Sequence, residues 1–166
     1  MEEKFIRIYG ELTPEVMPRI TQDFLEGCVK GNKITLLINS GGGSLKLYRQ
    51  IKSLINVYNP VVKTVCIGDA YSTAGMIFLL GSERVMIGKE AQLLFHEPSQ
   101  ELSSTYSELK KMMEVLEEMY NSIVEEIFAK SHAFFKKEEI KTKLREGWYV
   151  GSIEAFQYGF ATEIKY

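Results

Sequence analysis

A serine hydroxyl, an imidazole and a run of three glycines are the groups in this chain whose types and placement could do chemistry. Ser72 lies in Gly68-Asp69-Ala70-Tyr71-Ser72-Thr73-Ala74-Gly75, between a β-branched run at 61–67 and an apolar, helix-forming run at 74–80. That order predicts a strand-to-helix turn with the hydroxyl exposed at the strand's end. The first N–H groups of a helix have no intrahelical partners, so they can receive a developing oxyanion. A serine needs a general base to act as a nucleophile near neutral pH, and imidazole is the usual one. His96, at the end of a predicted strand 93–96, is one of only two histidines. The other, His132, follows a long helical pattern and reads as a turn or capping residue. Gly41-Gly42-Gly43 follows a third apolar run, 34–38, and lets backbone N–H groups approach a substrate without Cβ atoms in the way. Each feature alone has a plainer explanation. Ser72 could simply cap a helix, His96 could be structural, and the glycines could be a flexible loop.

The elements that must position these groups alternate between strand and helix. Phe5 to Tyr9 reads as a strand, and Thr13-Pro14 as the start of a helix carrying Val16, Met17, Ile20, Phe24 and Cys28 on one face. Leu47, Tyr48, Ile51, Leu54, Ile55 and Tyr58 mark a second helix, stopped by Pro60. Short strands follow at 84–87 and 93–96. Tyr106, Leu109, Met113, Leu116, Tyr120, Ile123 and Ile127 then recur at helical spacing over a long, charged helix whose apolar stripe is narrow for its length. A helix at 138–145, another at 153–158 capped by Ser152 and closed by Gly159, and a strand at 160–164 complete the order. This alternation is that of an α/β domain, and residues 1–166 read as one.

Composition removes several classes. With 166 residues, 45% of them hydrophobic, the chain can bury a sizeable core, and a net charge of −2 supplies no field for nucleic acid. No apolar stretch approaches a membrane span. Cys28 and Cys66 both lie in apolar patterns, which favours reduced core thiols and a cytoplasmic setting. Metal-ligand spacings are missing, so no metal and no cofactor is expected.

Four segments in register resemble one family. Ile38-Asn39-Ser40-Gly41-Gly42-Gly43 is similar to the INSPGG loop of the Clp protease proteolytic subunit (ClpP), within the crotonase-like superfamily, and the segment 68–75 to its nucleophile turn. Leu94-Phe95-His96-Glu97-Pro98 resembles its M-I-H-Q-P, and Glu154-Ala155-Phe156-Gln157-Tyr158-Gly159-Phe160 its E-A-x-x-Y-G-L. The resemblance runs from about Ile6 to the C-terminus and identifies a divergent or phage-type member. It implies a ClpP/crotonase-like fold with repeated ββα units and a protruding handle helix from about Thr105 to Lys130. It also implies a serine endopeptidase with Ser72 as nucleophile, His96 as base, and the N–H groups of Gly43 and Thr73 as oxyanion hole. The expected partners are copies of itself in a heptameric ring, single or stacked as a double ring. Peptide or unfolded protein would be the substrate, with an ATP-dependent unfoldase as an optional associate. The handle's Met112, Met113, Leu116, Met119 and Tyr120 offer more apolar surface than a solvated helix should expose.

The departures define the alternatives. Aligned back from Glu154, the family's catalytic aspartate falls on Gly147, and an arginine used for contact between rings falls on Glu146. The chain has only Asp23 and Asp69, neither well placed in the alignment. Glu146 could supply the carboxylate if the 144–148 loop shifts; otherwise His96 lacks an acid or uses a backbone carbonyl. The family's N-terminal helix and pore-lining loop are not expected here. Competing functions are a catalytically impaired ring subunit with a structural role and a crotonase-type acyl-CoA enzyme.

Overall fold

Three long apolar runs make the centre of the sheet, and each ends where the candidate chemistry begins. A computed structural model describes residues 2–99 and 103–166. Strand β1 (Glu3–Leu12) lies parallel to β2 (Lys33–Gly43), which lies parallel to β3 (Val62–Tyr71). β4 (Glu83–Ile87) and β7 (Glu163–Lys165) extend the sheet in the order β1-β2-β3-β4-β7. Ile34, Thr35 and Leu36 are all buried in succession, as expected for a strand covered on both faces. The result is the mixed α/β, mainly parallel architecture that the resemblance implies.

β3 changes neighbours along its length. Lys63 to Cys66 pair with β4, whereas Asp69 to Tyr71 pair with β5 (Gln92–Phe95), which is antiparallel to β6 (Trp148–Gly151). The sheet therefore splits just before Ser72. Such a change of strand neighbours at the carboxyl end of parallel strands opens a crevice. Gly68 stands at the split, where an added Cβ would lie 2.8 Å from the Asn39 side-chain oxygen. That same oxygen accepts from the Asp69 N–H at 3.1 Å.

Helices α1 (Met17–Val29) and α3 (Thr73–Leu79) pack beside the parallel strands, and α2 (Leu45–Tyr58) packs on both of them. α1 begins later than Thr13-Pro14 suggests. The N–H groups of Val16 and Met17 both bond to the Thr13 carbonyl, forming a turn, and Pro18 takes the early helical position. α2 is capped by the Ser44 hydroxyl, which accepts from Lys46 N–H at 3.3 Å.

The long helix α4 (Tyr106–Lys130) is buried toward its C-terminal end. Its buried residues are Ile123, Val124 and Ile127, while Tyr106 is 83% and Met113 65% exposed. Glu126 fastens the C-terminal half to α2: its carboxylate lies 2.6 Å from the Lys52 ammonium and 3.4 Å from the Tyr48 hydroxyl. α5 (Lys137–Glu146) and α6 (Ser152–Gln157) flank β6. Ser152 is not a cap. It is buried, and its hydroxyl donates to the carbonyls of Gly88 (2.8 Å) and Ala91 (3.0 Å). An aromatic cluster of Phe95, Phe135, Trp148, Tyr158 and Phe160, with centroids about 5 to 6 Å apart, fixes the end of β5 immediately before His96.

Candidate active site

Ser72 occupies the single residue between β3 and α3 and has φ 55° and ψ −121°, a conformation that side-chain-bearing residues rarely adopt. Its N–H donates to the Leu94 carbonyl at 2.7 Å and its carbonyl accepts from Met76 N–H at 3.1 Å. These bonds hold the turn, and a fully buried α3, Thr73 through Leu79, supports it from below. The Ser72 hydroxyl makes no capping bond to the helix it precedes. It is left for other work.

The glycine run is not a loose loop. β2 continues through it, and after a bulge Glu11 and Leu12 of β1 pair with Gly42 and Gly43. Gly42 has φ 95° and Gly43 φ 140°. A Cβ on Gly42 would lie 2.6 Å from the Tyr71 carbonyl oxygen and 2.8 Å from the Ser72 Cβ; one on Gly43 would lie 2.6 Å from the Leu12 carbonyl oxygen. Only glycine lets the backbone pass this close to the serine turn. The buried Thr73 hydroxyl then donates to the Gly43 carbonyl at 2.8 Å, stapling the glycine strand to the turn.

His96 follows β5 directly. Its Nδ1 lies 2.7 Å from the carbonyl oxygen of Glu97. The Glu97 N–H donates to the Leu144 carbonyl at 3.1 Å, and its carboxylate lies 3.5 Å from the Arg145 guanidinium. Ser72, His96, Gly43 and Thr73 all line one cleft of about 440 Å³, closed on the far side by Leu116, Met119 and Ile123 of α4.

Glu146 is exposed at the end of α5 and does not line the cleft. Gly147 beside it has φ 77° and ψ 104°. Asp23 is paired with Lys4 at 3.2 Å. Asp69 sits on β3 near Tyr71, whose hydroxyl donates to the Gln92 side-chain oxygen at 2.7 Å and has its pKa raised first by burial and then by that neighbouring carboxylate. Cys28 and Cys66 are free and buried. Gln100 to Leu102 are outside the described residues. Among the described residues, no cluster of three metal-ligating side chains occurs, and no helix is long and apolar enough to cross a membrane.

The sequence left a backbone carbonyl open as the partner of His96 without saying which one; it is that of Glu97, a main-chain atom that no pattern marks. Sequence reasoning missed two other contributors. The Thr73 hydroxyl bond joins residues thirty positions apart. Lys46 and Arg49, which also line the cleft, belong to the polar face of an amphipathic helix. Their proximity to Ser72 follows only from α2 starting immediately beyond Gly43.

Comparison with known proteins adds an independent observation. The family model described as Clp protease matches residues 1–165. An ATP-dependent Clp protease proteolytic subunit 2 from Frankia casuarinae is 27% identical over 142 residues, covering 85% of this chain and 64% of its own length. A proteolytic subunit 1 from Corynebacterium diphtheriae is 28% identical over 84% of this chain and 67% of its own. The proteolytic subunit from Borreliella afzelii is 24% identical over 99% of this chain and 84% of its own. The chain thus spans about two thirds of the length of the first two.

Proposed function

The chain belongs to the Clp protease family, and on that premise we propose that it is a ClpP-like serine endopeptidase. The reading is carried by one observation: a serine held at positive φ shares a cleft with a histidine and with a glycine strand stapled to the serine's own turn. With its proton on Nδ1, facing the Glu97 carbonyl, His96 presents a basic Nε2. Nε2 takes the Ser72 proton as Oγ attacks the peptide carbonyl carbon. The oxyanion is received by the N–H groups of Gly43 and Thr73. Collapse passes the proton from Nε2 to the leaving amine and leaves an acyl-serine, which water hydrolyses by the same route in reverse. No cofactor is required. In this reading the Glu97 carbonyl takes the orienting place, and Glu146 is a surface charge.

The chain acts as one peptidase domain within a homo-oligomeric, heptameric ring that encloses its sites in a cytoplasmic compartment. Support comes from α4, whose N-terminal half leaves Tyr106, Met113 and Val115 at least half exposed. Peptides and unfolded proteins are the substrates, and an ATP-dependent unfoldase is the partner that would supply them. A second reading, an impaired ring subunit, is favoured by the neutral carbonyl behind His96. A fluorophosphonate probe separates the two. An activated Ser72 is labelled and short fluorogenic peptides are cleaved, with both signals lost in Ser72→Ala. Light scattering that gives a stable 19 kDa monomer at micromolar concentration would refute the ring.

A further inference from the structure

We infer that Lys46 and Arg49 form a basic subsite that selects substrates with an acidic residue within three positions of the scissile bond. The inference rests on the peptidase reading of the cleft and specifies its substrate class. Lys46 and Arg49 lie three residues apart on α2, so they share one face of that helix. Both line the cleft that holds Ser72 and His96, and both are exposed there. No carboxylate lines that cleft among the described residues, although the chain as a whole carries a net charge of −2. Neither cation has an ion-pair partner within 4.0 Å among the described residues. Arg49 also lines a smaller cavity of about 230 Å³ between α2 and α4, in which Glu118 is the one acid among the described lining residues.

The spacing lets one substrate residue meet both. α2 begins two residues after Gly43, and its axis rises about 1.5 Å per residue. Lys46 and Arg49 are three residues apart, about 4.5 Å along that axis, so an extended peptide at about 3.4 Å per residue can present one carboxylate to both. The wall opposite, Leu116, Met119 and Ile123, is apolar. A peptide with an apolar residue at the cleavage point and Asp or Glu a short way along meets complementary surface at both places. The carboxylate would have attractive partners, and among the described residues that line the cleft it meets no repulsive one.

The test uses the full chain with Ser72→Ala, so that binding is read without turnover. Fluorescently labelled peptides carry one Glu, moved through three positions on either side of a central Leu, and each is compared with its Gln counterpart by anisotropy. Binding is expected to favour Glu about three- to tenfold at one or two adjacent positions. The preference should shrink between about 0.05 M and about 0.5 M salt. In Lys46→Glu/Arg49→Glu the sign should invert, with Lys peptides bound better than Gln peptides. Equal affinity for Glu and Gln, no binding of either, or a preference that survives charge reversal overturns the inference. If the double variant does not fold, the salt dependence of the Ser72→Ala protein decides. Fluorophosphonate labelling of the wild-type chain is scored separately, so loss of the peptidase reading is distinguishable from loss of the subsite.

Discussion

The Nδ1 atom of His96 lies 2.7 Å from the carbonyl oxygen of the next residue, Glu97. That contact can fix the imidazole tautomer, which is one of the two services an acid performs behind a catalytic histidine. The other service, stabilising the imidazolium, is weaker from a neutral carbonyl than from a carboxylate. The Glu97 N–H donates to the Leu144 carbonyl at 3.1 Å, which ties this residue to the C-terminal end of α5. Glu146→Gln should therefore leave kcat/KM for a fluorogenic peptide within about twofold of wild type. A loss approaching the roughly 10⁴-fold seen when a triad aspartate becomes asparagine would give the role to Glu146 instead. Gly147→Asp meets nothing within 4 Å at its Cβ, so its cost is conformational, set by φ 77° and ψ 104°. We expect a loss of about 1–3 kcal/mol in stability, read by chemical denaturation, and a rate gain only where the new carboxylate reaches His96.

Ser72 separates function from stability. Ser72→Ala and Ser72→Gly should both lose peptide hydrolysis by about 10⁴-fold or more. They should differ in thermal unfolding, because glycine adopts φ 55°, ψ −121° without a Cβ penalty and alanine does not. Ser72→Gly is expected to be the more stable of the two by about 1 kcal/mol, or some 2–4 °C in Tm. Equal melting temperatures would show that the turn is unstrained.

The glycine run should be sharply uneven in its tolerance. Gly41→Ala places a methyl where nothing lies within 4 Å, so it should unfold within about 0.5 kcal/mol of wild type. Gly42→Ala and Gly43→Ala drive a Cβ to 2.6 Å from a backbone oxygen at positive φ, and each should cost more than about 2 kcal/mol and abolish serine labelling. Thr73→Val keeps the shape but removes the 2.8 Å bond to the Gly43 carbonyl. It should cost about 1–3 kcal/mol and lower kcat/KM. Uniform tolerance across the four variants would mean that the strand and the turn are not coupled.

Burial pushes the Cys66 thiol up to about 12. The folded state therefore favours the neutral thiol, and the stability this contributes is complete below the unfolded value of about 8.5. It is lost as pH rises from there toward about 12. Burial also raises Cys28 and Tyr48, with the same sign. Urea midpoints should fall between pH 8 and pH 10, and less steeply in Cys66→Ala. The native protein should leave Cys66 unmodified by a disulfide reagent at pH 8, with modification appearing on unfolding.

Much of this was legible in the sequence because local pattern and tertiary structure agree. Periodic apolar residues from Tyr106 to Ile127 mark the long helix, the family resemblance places its ends to within a residue, and apolar, β-branched runs mark the cores of β2 and β3. Errors fall where a distant partner decides. Trp148 to Gly151 is too short to stand out as a strand, and it becomes one by pairing with β5. Ser152 looks like a helix cap, yet its hydroxyl is taken by carbonyls more than sixty residues earlier. Thr13-Pro14 looks like a helix start, and the turn centred on the Thr13 carbonyl defers α1 to Met17. At the site, residue types pointed to Ser72 and His96, whereas the partner of Nδ1 is a main-chain atom that no residue type announces.

Because α4 buries Ile123, Val124 and Ile127 near its C-terminal end while Tyr106 and Met113 are exposed, it works as a lever whose short arm is the cleft wall. Measured from Ile127, Met119 is about 12 Å along the axis and Tyr106 about 31 Å, at 1.5 Å per residue. A tilt of about five degrees about that pivot would displace the tip by nearly 3 Å and the wall beside Ser72 by about 1 Å. A misplacement of about 1 Å is enough to change a rate by a hundredfold. Whatever grips the tip of the helix would thereby set the gap across the serine, and turnover would become a gauge of that grip.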